Sequence, residues 1–246
     1  MKHFFRKAAP PLLGLMVALP ALAWDEEREA AMALRPNLDN GRRVYEPCAI
    51  CHTPMGWGMQ HSRYPQISAQ HPNVTIKQLS DIRQGNRDNP TMFPFAQVRA
   101  LEGPQSIADV AAYIAQLPMS PHNSVGPGRD LAHGQALYKE HCTKCHGANG
   151  EGNNKEFQPR IQGQHYEYLL RQFYWIKNGQ RRNADQTMVK QIKGFTDRDI
   201  VAVVDYTSRL RPPKNLTAPP DWRNPDFPPD FTHVPKIAPQ DAGRTD

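Results

Sequence analysis

The sequence predicts an all-α chain made of two similar domains in tandem, followed by a proline-rich tail. Three observations carry that prediction. Segments recur at an offset of about 94 residues. Apolar residues in each half fall at helical spacing, with glycines where those patterns stop. The 24 prolines of the 246-residue chain include nine after position 210, where regular structure should fail. At 39% hydrophobic and 22% charged residues, the composition fits neither a membrane protein nor a wholly disordered chain.

Residues 1–23 read as a secretory leader. Lys2, Arg6 and Lys7 form a positive head, Leu12 to Leu22 an apolar run, and Ala21-Leu22-Ala23 a small-x-small cleavage site before Trp24. The run contains Pro20 and is shorter than the roughly 20 residues a spanning helix needs. Three of the 30 basic side chains lie in this leader and none of the 24 acidic ones, so the formal charge of +6 falls to +3 on cleavage. Export to the periplasm would place the cysteines in an oxidising compartment.

An extension over 24–38 leads into a first domain at 39–117. A linker at 118–131, rich in proline and glycine, separates it from a second domain at 132–210, and the tail covers 211–246. Ile67-Ser-Ala-Gln70-His71 recurs as Ile161-Gln-Gly-Gln164-His165, and the same offset of 94 pairs Pro65 with Pro159, Gln78 with Gln172, Ile82 with Ile176, Gly85 with Gly179 and Arg87 with Arg181. Gly41 to Tyr45 answers Gly134 to Tyr138, and Ile107 to Leu117 answers Ile200 to Leu210. The chain is a duplication of one unit.

Each unit reads as three helices. A short amphipathic one is anchored by Val44 and Tyr45, or by Leu137 and Tyr138. A middle helix spans about 74–84 or 166–178 and stops at a glycine. The last has Ile107, Val110, Ala111, Ile114 and Leu117 on one face, or Ile200, Val203, Val204 and Leu210. Thr196 with Asp199 resembles a capping box, and Gly103-Pro104 starts the equivalent helix in the first unit. In the tail, Trp222, Phe227 and Phe231 are spaced among prolines. They would lie across the protein's own surface or form a docking strap for a partner.

All four cysteines fall in two motifs, Cys48-Ala-Ile-Cys51-His52 and Cys142-Thr-Lys-Cys145-His146. Cys-x-x-Cys-His is the attachment signature of c-type haem. Two thiols one helical turn apart can reach the two vinyl groups of a porphyrin, and the following histidine then lies under the ring to ligate iron. Four cysteines and two histidines cannot fill two complete zinc sites. A thioredoxin-like pair would follow a strand, and no strand-rich pattern precedes either motif. Two haems bring two propionates each and lower the net charge to about −1, so nucleic-acid binding loses its support.

The sixth iron ligand decides between small-molecule chemistry and electron transfer. After His146 the only methionine is Met188, 42 residues on. In the first unit Met92 lies 40 residues past His52, and the repeat selects it over Met55, Met59 and Met119. Both are expected in loops before the last helix. The rivals His71 and His165 lie 19 residues past each proximal histidine. Thioether ligation favours Fe(II) and raises the potential. Pro65 and Pro159, each 13 residues beyond the histidine, are placed to offer a carbonyl to imidazole Nδ1–H. Arg171, Lys177, Arg181, Arg182, Lys190 and Lys193 read as a basic patch beside the second haem edge, or as a solvated helix face.

These motifs, the Pro-x-Ile-x-(Ala/Gly)-Gln-His segments, the late methionines and the duplicated helices resemble the two-haem cytochrome c4 family, over about Gly41 to Leu210. The resemblance implies two tandem class I cytochrome c domains facing each other across a pseudo-twofold. It implies two haem c groups held by Cys48, Cys51, Cys142 and Cys145, with His52 and Met92, then His146 and Met188, as axial ligands. It also implies a periplasmic carrier between a quinol-oxidising complex or dehydrogenase and a terminal oxidase, reaching membranes only through such partners. A dedicated subunit of a periplasmic oxidoreductase shares that chemistry. A dihaem peroxidase would need a displaceable sixth ligand, and a thiosulfate-oxidising site with distal cysteine is excluded because every cysteine is already used. The first motif continues as Thr53-Pro-Met55-Gly-Trp57-Gly, where the second has Gly147-Ala-Asn-Gly150-Glu-Gly152. The first haem pocket should therefore differ, and the two terminal extensions should mark a carrier dedicated to one enzyme.

Overall fold

The duplicated apolar pattern folds into two helical units built the same way. The computed structural model describes residues 20–61 and 63–231, so most of the predicted leader lies outside the described residues. Helix α1 spans Pro20–Ala33, α2 Leu38–His52, α3 Pro72–Arg83, α4 Phe93–Ala96 and α5 Pro104–Gln116. The second unit follows with α6 Leu131–His141, α7 Thr143–His146, α8 Tyr166–Lys177, α9 Gln186–Ile192 and α10 Asp197–Ser208, then a 3₁₀ turn at Lys214–Leu216. No strand forms among the described residues. No described helix is long and apolar enough to cross a membrane.

Each unit is organised by a close crossing of its first and last major helices, α2 on α5 and α6 on α10. Glycine makes the approach possible. A Cβ on Gly41 would stand 2.3 Å from the carbonyl oxygen of Asp109, and one on Gly134 only 2.1 Å from that of Ala202. The repeat-matched glycines are thus explained by backbone contact rather than by a turn. Beside each crossing a buried tyrosine holds the loop after the cysteine motif: Tyr45 Oη donates to Thr53 O at 2.8 Å and Tyr138 Oη to Gly147 O at 2.9 Å. The last helices start as their residues predict, α5 with Pro104 in its first turn and α10 with the Thr196–Asp199 capping box.

Four features go beyond the expected three helices per unit, and the last of them takes the tail across the protein's own surface, one of the two readings its aromatic residues allowed. Short helices α4 and α9 precede the last helix. Met188 therefore sits within α9, not in a loop, while Met92 is the N-cap of α4. The extension forms α1, whose Ala31 is 1% exposed within the first core and whose Glu27 pairs with Arg83. The linker is pinned: Gly126 and Gly128 amides bond Ser208 Oγ and Asp205 Oδ2 on α10. The tail pairs with the linker through a parallel bridge between Met119 and Thr217, then packs Trp222, Phe227 and Phe231 on the first core. Both extensions are absorbed by the chain's own first domain.

Candidate functional site

Both cysteine motifs lie at the C-terminal end of the helix that begins each unit. In the first, α2 runs unbroken through Cys48 and Cys51 to His52, with Pro47 inside it. In the second, the helix breaks at Cys142 and resumes as α7. All four cysteine side chains are partly buried. Burial, aided by the neighbouring thiol, pushes Cys48 and Cys142 each up to about 12. Neutral thiols are the reverse of the low-pKa thiolate that a thioredoxin-like pair requires.

The two histidines are oriented alike. His52 Nδ1 lies 2.9 Å from Pro65 O and His146 Nδ1 3.1 Å from Pro159 O. A carbonyl only accepts, so Nδ1 carries the hydrogen and Nε2 keeps its lone pair. Burial lowers both imidazoles below their ordinary pKa despite these bonds, which preserves the neutral form a metal ligand needs. The prolines picked out by the repeat are therefore the acceptors.

The methionines are not equivalent. Met188 packs on the second apolar cluster, as does Cys142. Met92 is half-exposed and lies outside the corresponding first cluster, which Cys48 joins. Its amide bonds back to Asn89. Met119, buried, bridges the tail instead.

The other repeat-matched polar residues meet where the units join. His71 Nε2 donates to Glu151 O at 2.8 Å, and His165 Nε2 to Trp57 O at 2.8 Å. Gln70 binds the backbone of Arg160 through both ends of its amide, at 2.9 and 3.0 Å. Gln164 binds Gln66 in the same way, at 3.1 and 2.7 Å. Each contact is the other's image at an offset of 94 residues, which defines a pseudo-twofold relation between the units. Both rival histidines thus have Nε2 engaged by the opposite unit.

Two arginines sit near that axis. Arg87 Nη1 and Nη2 reach Gln78 Oε1 at 2.9 Å and Gln172 Oε1 at 3.2 Å; Arg181 bonds the same two acceptors at 3.1 and 3.0 Å. Burial and the adjacent Arg87 pull Arg181 down to about 9. Although burial opposes it, Arg87 and Arg181 hold the Tyr168 hydroxyl below its ordinary value. Among the described residues no carboxylate pairs with either guanidinium, and Arg87 Nε and Gln172 Nε2 are buried without a partner. Such a pair invites anions, and haem propionates are anions of the right kind. The neutral thiols, the oriented imidazoles and the unpaired guanidiniums all fit a covalent haem in each unit.

Of the six cations read as a basic patch beside the second haem edge or as a solvated helix face, four are engaged by contacts of their own. Arg181 faces the first unit; Arg182 bonds Gly85 O and Arg171 bonds Arg63 O across the boundary; Lys177 bonds Phe195 O. Only Lys190 and Lys193 of the six are exposed without such a contact. The offset of Arg87 and Arg181 was visible in the sequence, but not that the two would meet.

The family model described as "Cytochrome c" matches residues 38–118, and that described as "Cytochrome C oxidase, cbb3-type, subunit III" matches residues 129–206. The chain is 31% identical over 174 residues to "Cytochrome c4" of Thiocapsa roseopersicina, covering 66% of this chain and 86% of that protein. It is 30% identical over 198 residues to the "Thiosulfate dehydrogenase electron acceptor" of Stutzerimonas stutzeri (strain A1501), covering 73% and 90%. The crystal structure of reduced recombinant cytochrome c4 from Pseudomonas stutzeri shares the fold with a TM-score of 0.63 at 23% identity, covering 72% of this chain and all of that one.

Proposed function

Because the chain belongs to the cytochrome c4 family, and is therefore an electron carrier with two covalent haem c groups, we propose that it works in the periplasm between a dehydrogenase and a terminal oxidase. The domains would be 39–117 and 132–210. Cys48 and Cys51, and Cys142 and Cys145, would hold the haems through thioethers. His52 with Met92, and His146 with Met188, would ligate iron. Each haem supplies reversible one-electron chemistry. The chain's residues would do the rest: Pro65 and Pro159 hold the imidazoles by Nδ1 and leave each Nε2 lone pair free to ligate iron, and the apolar clusters would limit water.

The observation that carries the reading is the Arg87–Arg181 centre. Two cations, one from each domain and without a carboxylate partner among the described residues, stand together at the junction, and propionates reaching that junction would be neutralised by them. Electron exchange between two haems needs the domains held together, and the reciprocal hydrogen bonds join them. The relative that is a thiosulfate dehydrogenase electron acceptor favours such a dehydrogenase as donor over a quinol-oxidising complex. A dedicated-subunit reading loses one support, because both extensions pack on the chain itself.

Stopped-flow mixing tests this. Oxidised protein should be reduced rapidly by thiosulfate plus thiosulfate dehydrogenase, and not by thiosulfate alone. Reduction by thiosulfate without the dehydrogenase would make the chain an enzyme. Failure of the complete mixture would remove this donor.

A further inference from the structure

The tail beyond residue 218 lies outside both family matches and contacts the loop that follows His52. Asn224, 4% exposed, donates from Nδ2 to Pro54 O at 2.7 Å and to Tyr113 Oη at 2.9 Å. Tyr113 Oη in turn donates to Asp226 Oδ2 at 2.8 Å, and the Asp226 amide returns to Asn224 Oδ1 at 3.1 Å. Trp222 stacks obliquely on Trp57, with ring centroids 5.9 Å apart, and Phe227 meets Tyr45 edge-on at 6.0 Å. Tyr45 holds Thr53 O from the other side. The loop 53–58 is thus gripped at Thr53, Pro54 and Trp57, two of them by the tail. In the second domain the corresponding loop is held by Tyr138 at Gly147 O and by His71 of the first domain at Glu151 O, and neither holder comes from the tail.

We propose that residues 219–231 form a positioning strap for the first haem site, fixing loop 53–58 against the domain and sealing that side of the haem from water. This rests on the assignment of His52 as an iron ligand. Ferric haem carries one more positive charge than ferrous haem, so water admitted beside it favours the oxidised state and lowers the potential. The strap therefore sets the first haem's potential apart from the second's.

The test is a redox titration of the haem-loaded full-length protein, wild type against Asn224→Ala and, separately, Trp222→Leu. Folding of each is checked by circular dichroism, and haem content by pyridine haemochrome. Asn224→Ala should lower one midpoint potential and leave the other in place. Trp222→Leu, which keeps the hydrogen bonds, should shift the same haem less. Two unchanged potentials, or two that move together, would overturn the strap. A wild-type content of one haem would overturn the ligand assignment beneath it, a separate failure.

Discussion

His165 donates its Nε2–H to the backbone carbonyl of Trp57 at 2.8 Å across the domain boundary, while its Nδ1 accepts the amide of Ser124 at 3.2 Å. The two bonds fix a neutral tautomer. One ring thereby joins the second domain to both the linker and the loop of the first haem site.

Acid should loosen this junction. Burial lowers His165 below the ordinary histidine value, although Trp57 O and Glu167 oppose the shift and His61 adds to it. His71 is lowered by burial too. A depressed folded pKa means that the stabilisation is complete above the unfolded value of about 6.5 and is lost as pH falls through the folded one. Urea midpoints should therefore decline from pH 7 to pH 5, and His165→Gln should flatten that decline.

Thr53 occupies a backbone state suited to glycine, with φ 66° and ψ 157°, where the second domain has Gly147 at φ 79°. A β-branched residue there costs about 1–3 kcal/mol, partly offset by glycine's greater unfolded freedom. Thr53→Gly should stabilise the protein by about 1 kcal/mol in equilibrium denaturation. Gly147→Ala should do the opposite, since a φ of 79° strains any residue with a Cβ, and the added carbon would also push the Glu151 carboxylate from its place 2.2 Å away.

Arg181→Gln should lower both haem potentials together. A cation near the axis disfavours the extra positive charge of ferric iron in either domain. Its loss should amount to tens of millivolts, on the order of 1 kcal/mol per electron. Spectroelectrochemistry separates this paired shift from the single shift expected of the strap.

Met188→Ala should open one iron to cyanide or carbon monoxide and lower its potential. It should also remove part of the weak long-wavelength absorption of thioether-bound ferric haem. Met92→Ala should do the same at the other iron, and Met55→Ala should do neither. Loss of that absorption with Met55→Ala, and its retention with Met92→Ala, would reassign the first ligand.

Much of this could be read from residue order because it is local. The cysteine motifs, the Thr196–Asp199 cap and the apolar face of Ile200, Val203 and Val204 each follow from spacing along one helix. The duplication made Gly41, Pro65, Gln70 and Arg87 conspicuous. Their roles depend on a relation between domains that no local pattern encodes. Arg181 misled for the same reason: a cation in a sequence is exposed by default, and only the opposing domain covers it. That the tail lies across the protein's own surface was one of the two readings its aromatic spacing allowed; which surface it takes was not legible, because Trp222 and Phe227 follow no helical or strand period and their contacts are set by proline-bounded turns and by surfaces far back in the chain.

That distance has a consequence for how the molecule assembles. Asn224 and Pro54 are 170 residues apart in a chain of 246, so the contact between them closes a loop that contains the whole second domain. The second domain and its cysteine motif can form from nearby segments, whereas the first lacks part of its core until the end arrives. A chain emerging N-terminus first offers Tyr45 and Tyr113 long before Phe227 and Asn224 exist to cover them. The domain synthesised first is the one completed last, and Cys48 and Cys51 stay in the more open of the two halves while it waits.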